Sequence, residues 1–214
     1  MMKKLIYEQK IMGINAIWIF SSCVIVYILV SYLAGELLNL GIIGFEVIYP
    51  FLVAIAVAEW GKTRADFNFN LIASQSKSLF QWVVKRFMAV FFMGNIFGLI
   101  SMMLVEMVRH EMPLWEMIII YLPPAFFLST FSMLCGICFS GEHIATLVCG
   151  VLWIFTILTR NQILIPKVEY IYLFIRYSGD INGIWMINKV IVMILSMVFW
   201  GVIYILCKKR IFVV

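Results

Sequence analysis

The chain has 214 residues, of which 64% are hydrophobic and 13% charged, with a formal net charge of +5. A soluble domain carries about 25% charged residues, so a water-soluble globule is excluded. The mean hydropathy of +1.06 and the gathering of charges into short clusters between long apolar runs are the pattern of a polytopic α-helical membrane protein. The basic excess flanks those runs, which reads as orientation in a bilayer and not as a nucleic-acid surface.

The N-terminal dozen residues mix Lys3, Lys4 and Lys10 with Leu5, Ile6, Tyr7, Ile11 and Met12, a composition suited to a short amphipathic helix in the membrane interface or to a plain frayed end. The apolar run that follows is too long for the core of a signal peptide and lacks a small-x-small cleavage site, so it reads as a retained first span. Six spans are expected, at about 14–34, 42–58, 87–108, 117–139, 144–159 and 187–207. Crossing a hydrocarbon layer of about 30 Å needs roughly 20 helical residues; the second and fifth runs are short against that length.

Six spans place both termini on one side. Lys3, Lys4, Lys10, Lys62, Arg64, Lys77, Lys85, Arg86, Lys208, Lys209 and Arg210 make eleven cations on that face, against five on the other, Arg109, Arg160, Lys167, Arg176 and Lys189. The richer face is expected to be cytoplasmic, which makes this an expected multi-pass membrane protein.

Between the second and third runs, residues 59–86 form a polar, mildly basic island. Two antiparallel helices need only a handful of connecting residues, so a loop of this size implies a cytosolic reader. It also carries Phe67, Phe69, Leu71, Ile72 and Leu79, apolar residues that want a partner or the interface. Gly94 and Gly98 give the third run a small-xxx-small face for close helix packing. Pro123 and Pro124 are expected to kink the fourth run. Beyond the fifth run, residues 161–186 carry Pro166, Trp185 and several tyrosines, which suggests one or two short helices at the outer leaflet.

Several chemical signatures fail on context. Ala56 through Gly61-Lys62-Thr63 resembles a phosphate loop, but a membrane helix precedes it where a strand is required, and its first glycine is an alanine. Cys135 and Cys138 are spaced as a C-x-x-C, with His143 and Cys149 nearby; all sit in or beside apolar runs, where cysteine acts as a small hydrophobe. His143 and Cys149 are six apart, a poor helical register for a shared face, and no third orienting group follows. Glu46 and Glu106 lie at span ends and read first as interfacial, water-reached carboxylates, with Glu106 in register to pair with Arg109.

The residues around the polar island resemble the ABC-2-type permease family, the six-span membrane subunits of bacterial ABC exporters. The resemblance rests on Glu59, then Gly61-Lys62-Thr63, Leu71-Ile72, Ser74-Gln75-Ser76-Lys77 and Lys85. Ser74 stands where the family commonly has proline, Lys77 where it has arginine, and Lys62 divides its glycine–threonine pair. The resemblance implies an all-α integral membrane fold with an N-terminal elbow helix, a cytosolic coupling helix between spans two and three, and short outer helices between spans five and six. It implies no catalytic residue, metal or cofactor in this chain; ATP and magnesium would be bound by a cytosolic ABC ATPase dimer. Glu59, Gly61, Lys62, Thr63, Leu71, Ile72, Ser76, Lys77, Leu79, Phe80 and Lys85 would couple to that ATPase, a second permease subunit would complete the pathway, and a peptide, antimicrobial or drug-like substrate would be exported. Two other readings are a substrate-binding membrane subunit of a vitamin or metal uptake system, and an intramembrane enzyme using Cys138, His143, Cys149 or the glutamates.

Overall fold

The structure is a computed structural model that describes residues 43–61, 79–108, 113–141, 143–159, 168–176 and 184–209. The expected elbow and first span, and the loop residues Lys62, Thr63, Leu71, Ile72, Ser76 and Lys77, lie outside the described residues. Those that are described form helices and turns. A π-helical segment, Ile43–Ile48, runs into α1 (Tyr49–Trp60), followed by α2 (Leu79–Val108), α3 (Leu114–Cys138), α4 (Ile144–Leu158) and α5 (Ile184–Lys209).

Among the described residues, four helices are long and apolar enough to cross a membrane: Ile43–Trp60, Leu79–Met107, Leu114–Cys138 and Ile184–Lys209. At 1.5 Å per residue the shortest of these reaches about 27 Å, close to the thickness of a hydrocarbon core. The helix Ile144–Leu158 is apolar but shorter. Large apolar side chains face outward on α2 (Phe92, Ile96, Met103, Met107), α4 (Leu147, Val151, Phe155, Leu158) and α5 (Val190, Ile194, Met197, Ile205). Such faces are untenable in water and natural in lipid.

Side-chain contacts fix an up-and-down order. Phe80 at the start of α2 stacks edge-on against Trp200 and Tyr204 near the end of α5. The Tyr49 hydroxyl, at the start of α1, donates to the Gly94 carbonyl midway along α2 (3.0 Å). Ser132 of α3 donates to the Ala54 carbonyl of α1 (3.1 Å). One end of the bundle therefore holds the starts of α1, α3 and α5 and the end of α2; the opposite end holds the close of α1 and the start of α4. α1 and α3 are central, with 61% of each apolar window buried against 22% for α5. They are correspondingly apolar all round, the mark of a helix enclosed by others.

The helix α2 begins at Leu79 and not at Phe87 where the span was expected. Leu79, Val83, Phe87, Val90 and Phe91 recur at three- and four-residue steps and are all buried, one continuous helical stripe. Lys85 is exposed on the far side, and Arg86 lies 4.3 Å over the Trp82 ring. Charges confined to one face do not end a helix, so residues 79–86 of the polar island belong to α2. The helix α3 runs unbroken through Pro123 and Pro124. Proline lacks an N–H, which leaves the carbonyls of Ile119 and Ile120 without their usual helical donors.

The glycines of α2 serve packing. A Cβ built at Gly98 would sit 3.0 Å from Tyr49 Cε1 and 3.5 Å from the Tyr121 ring, and the two tyrosine rings themselves pack at 5.6 Å. Gly98→Leu is expected to force α1, α2 and α3 apart at a cost of about 1–3 kcal/mol, and Gly98→Ala to cost less; melting of the detergent-solubilised protein measures both.

Candidate functional site

Two polar clusters stand out from this apolar bundle, one at each end. The first begins with Pro50. Having no N–H, Pro50 cannot serve the Glu46 carbonyl four residues back, and its ring crowds that group. The helix opens there into the π segment, a device that often re-aims side chains. Four successive residues of that segment, Gly44, Phe45, Glu46 and Val47, are buried, and Trp153 of α4 donates to the Val47 carbonyl (2.9 Å).

Glu46 is fully buried, and so, at 2% exposure, is Lys189 of α5; Lys189 Nζ donates directly to Glu46 Oε1. The same carboxylate oxygen accepts the backbone N–H of Arg176 (3.1 Å). The Arg176 guanidinium turns the other way, donating to Glu116 of α3 (2.7 Å) and packing 5.3 Å from the Trp185 ring. The expected water-reached placement of Glu46 is thus overturned: it is one half of a buried ion pair. A lone carboxylate or ammonium at this depth would be strongly unfavourable, and each makes the other tolerable.

Around this pair folds a stretch of turns, residues 168–176. Tyr172, Leu173, Phe174 and Ile175 are all buried. Where short outer helices lying on or dipping into the leaflet were expected, residues 168–176 form turns tucked into the bundle. Non-helical backbone at membrane depth requires protein partners for its polar groups, and α5 supplies them. Asn188 Nδ2 donates to the carbonyls of Glu169 (2.9 Å) and Tyr172 (2.8 Å). Lys189 Nζ donates also to the Leu173 carbonyl (3.3 Å). The Tyr172 hydroxyl donates to the Thr156 carbonyl at the close of α4 (2.6 Å).

The second cluster lies at the opposite end, where α1 passes into the polar loop. Glu59 Oε1 accepts the Thr146 hydroxyl and lies 3.1 Å from His143 Nδ1. This pins the last turn of α1 to the first turn of α4, and Gly61 closes α1 through its N–H to the Val57 carbonyl (2.8 Å). Both His143 and Glu59 are partly in solvent. Glu59→Ala is therefore expected to cost only about 0.5–1 kcal/mol of stability, read as a small shift in melting temperature.

The other expected site residues divide between packing and surface. Leu79 is buried in the main apolar cluster and Phe80 packs against it; Lys85 is exposed on α2. Glu106 accepts the N–H of Leu114 (3.1 Å) and so caps the start of α3; its expected partner Arg109 lies outside the described residues. Among the described residues no group of three or more His, Cys, Asp or Glu could hold a metal ion, and Cys135, Cys149 and Cys207 are buried thiols. Sequence reasoning missed Lys189 as a buried partner. Its signal was there: it is the lone cation within the apolar run Ile184–Cys207, and an ionisable residue inside such a run predicts a counter-charge. The partnership of His143 with Glu59, far apart in sequence, had no local signal.

Comparison with known proteins adds no name: no family model, curated protein or solved structure matches the chain.

Proposed function

We propose that this chain is the membrane-spanning permease subunit of an ATP-driven ABC exporter, working with a separate cytosolic ATPase that binds ATP and magnesium. The observation that carries the reading is the polar connection of residues 62–78 between two helices of spanning length, combined with the resemblance of its flanks to ABC-2-type permeases. The connection leaves α1 directly after Glu59, whose carboxylate is tied to α4 through Thr146 and His143. A push on the loop therefore has a route into two helices at once. A helical bundle whose two ends are clasped by separate polar clusters has the parts of a two-state element.

In this reading the loop is cytosolic, a second permease subunit faces this one across the pathway, and the cargo is a peptide, antimicrobial or drug-like molecule. The test is co-purification. The chain, expressed in its host and extracted in mild detergent, is expected to retain an ABC ATPase and to crosslink to it from a cysteine placed at Ser76. A complex that forms without the loop, or no complex with any ABC ATPase of the host, sinks the reading.

A further inference from the structure

We propose that residues 168–176 form a closing strap over the end of the bundle that faces away from the loop, and that the Glu46–Lys189 pair is the latch that holds it shut. The inference deepens the permease reading, since it places an outer gate on the pathway. It rests on that reading for its use, and the test below is independent of any ATPase.

The strap has a distinctive build. Its apolar residues Tyr172, Leu173, Phe174 and Ile175 are inserted among the helices, and its described residues form turns, with the Val168 carbonyl accepting from Ile171 and Tyr172. A helix would carry its hydrogen bonds with it when it moved. This strap instead borrows donors from adjacent positions of α5, Asn188 and Lys189. Its far end is held by the Arg176 N–H on Glu46 and the Arg176 guanidinium on Glu116.

Glu46 and Lys189 thus occupy the centre of the clasp. Each bonds the other and each also bonds the strap backbone. Among the described residues, Arg176 on the strap and Glu116 on α3 are charged groups that face the pair from neighbouring elements. Neutralising either member leaves the other as a buried charge, which seeks water. The strap backbone is bonded to both members of the pair. Opening and breaking the pair are therefore one event, which gives two discrete arrangements instead of a gradual loosening. Lys189 also contributes to the wall of an apolar groove of about 480 Å³ between α3 and α5, lined by Ile119, Pro123, Met186 and Met193. Movement of the strap and of α5 would reshape both.

The experiment uses the full chain in intact cells, with Ile175→Cys as reporter and a membrane-impermeant maleimide applied outside; the chain without the reporter supplies the background. With the pair intact the reporter is expected to be protected. Glu46→Gln or Lys189→Gln is expected to raise its labelling rate about tenfold or more, the factor that corresponds to 1.4 kcal/mol of lost closure. The exchange Glu46→Lys with Lys189→Glu is expected to restore protection. Should the single variants fail to reach the membrane, Asn188→Ala removes two strap bonds while sparing the pair, and is expected to raise labelling likewise. Equal labelling in native and variant chains, full labelling of the native reporter, or no labelling in any variant would overturn the latch. ATPase co-purification would be untouched by that failure, so the two readings fall separately.

Discussion

Lys189→Met alone is expected to destabilise the protein by about 3–5 kcal/mol, because it leaves the Glu46 carboxylate buried without its counter-charge. Glu46→Leu alone is expected to cost a similar amount, with the ammonium now stranded. The double variant is expected to recover most of the loss. Two apolar side chains of similar volume need no desolvation, and replacing a whole buried pair is often neutral. The strap would still lose the Lys189 bond to Leu173 and the Glu46 bond to Arg176, so recovery should stop short of complete. Thermal melting of the detergent-solubilised chain reads all three. The decisive quantity is the coupling between the sites, which a double-mutant cycle isolates. Additive losses would mean that the two charges do not depend on each other.

In the permease reading proposed above, replacing residues 71–77 by glycine and serine is expected to abolish ATPase-dependent export while leaving the melting temperature of the bundle nearly unchanged. The loop would then be a contact surface for another protein and no part of the core. The neighbouring positions should behave in the opposite way. Leu79→Ala removes a side chain buried in the main apolar cluster and is expected to cost about 2–5 kcal/mol. Phe80 meets Trp200 and Tyr204 edge-on, so Phe80→Ala should also loosen α2 from α5. Paired measurements of export and melting across residues 71–80 separate a docking segment from the structural helix. Export that survives replacement of residues 71–77 would remove the loop from the mechanism.

Much of the architecture was legible in the sequence because the bilayer imposes a simple rule. Every spanning segment must be apolar and long enough, and must satisfy its own backbone. Four of the apolar runs read from the sequence coincide with helices that are long and apolar enough to span a membrane among the described residues. Where the reading slipped, at α2, the charges of Lys85 and Arg86 looked like loop when they were one face of a helix. The small-residue face of α2 was also legible, since close approach needs glycine whatever the partner, although the partners Tyr49 and Tyr121 were not.

Composition and hydropathy alone determined the class of solvent, the helical build and the position of the polar loop, for these depend on the local run of residues and on nothing distant. The tertiary structure alone decided the pairings: Glu46 with Lys189, Glu59 with His143 and Thr146, and the strap with Asn188. A hydropathy profile records what each residue costs in lipid by itself. It carries no term for the partner, more than eighty positions away, that makes the cost bearable, and that term exists only once the helices stand side by side.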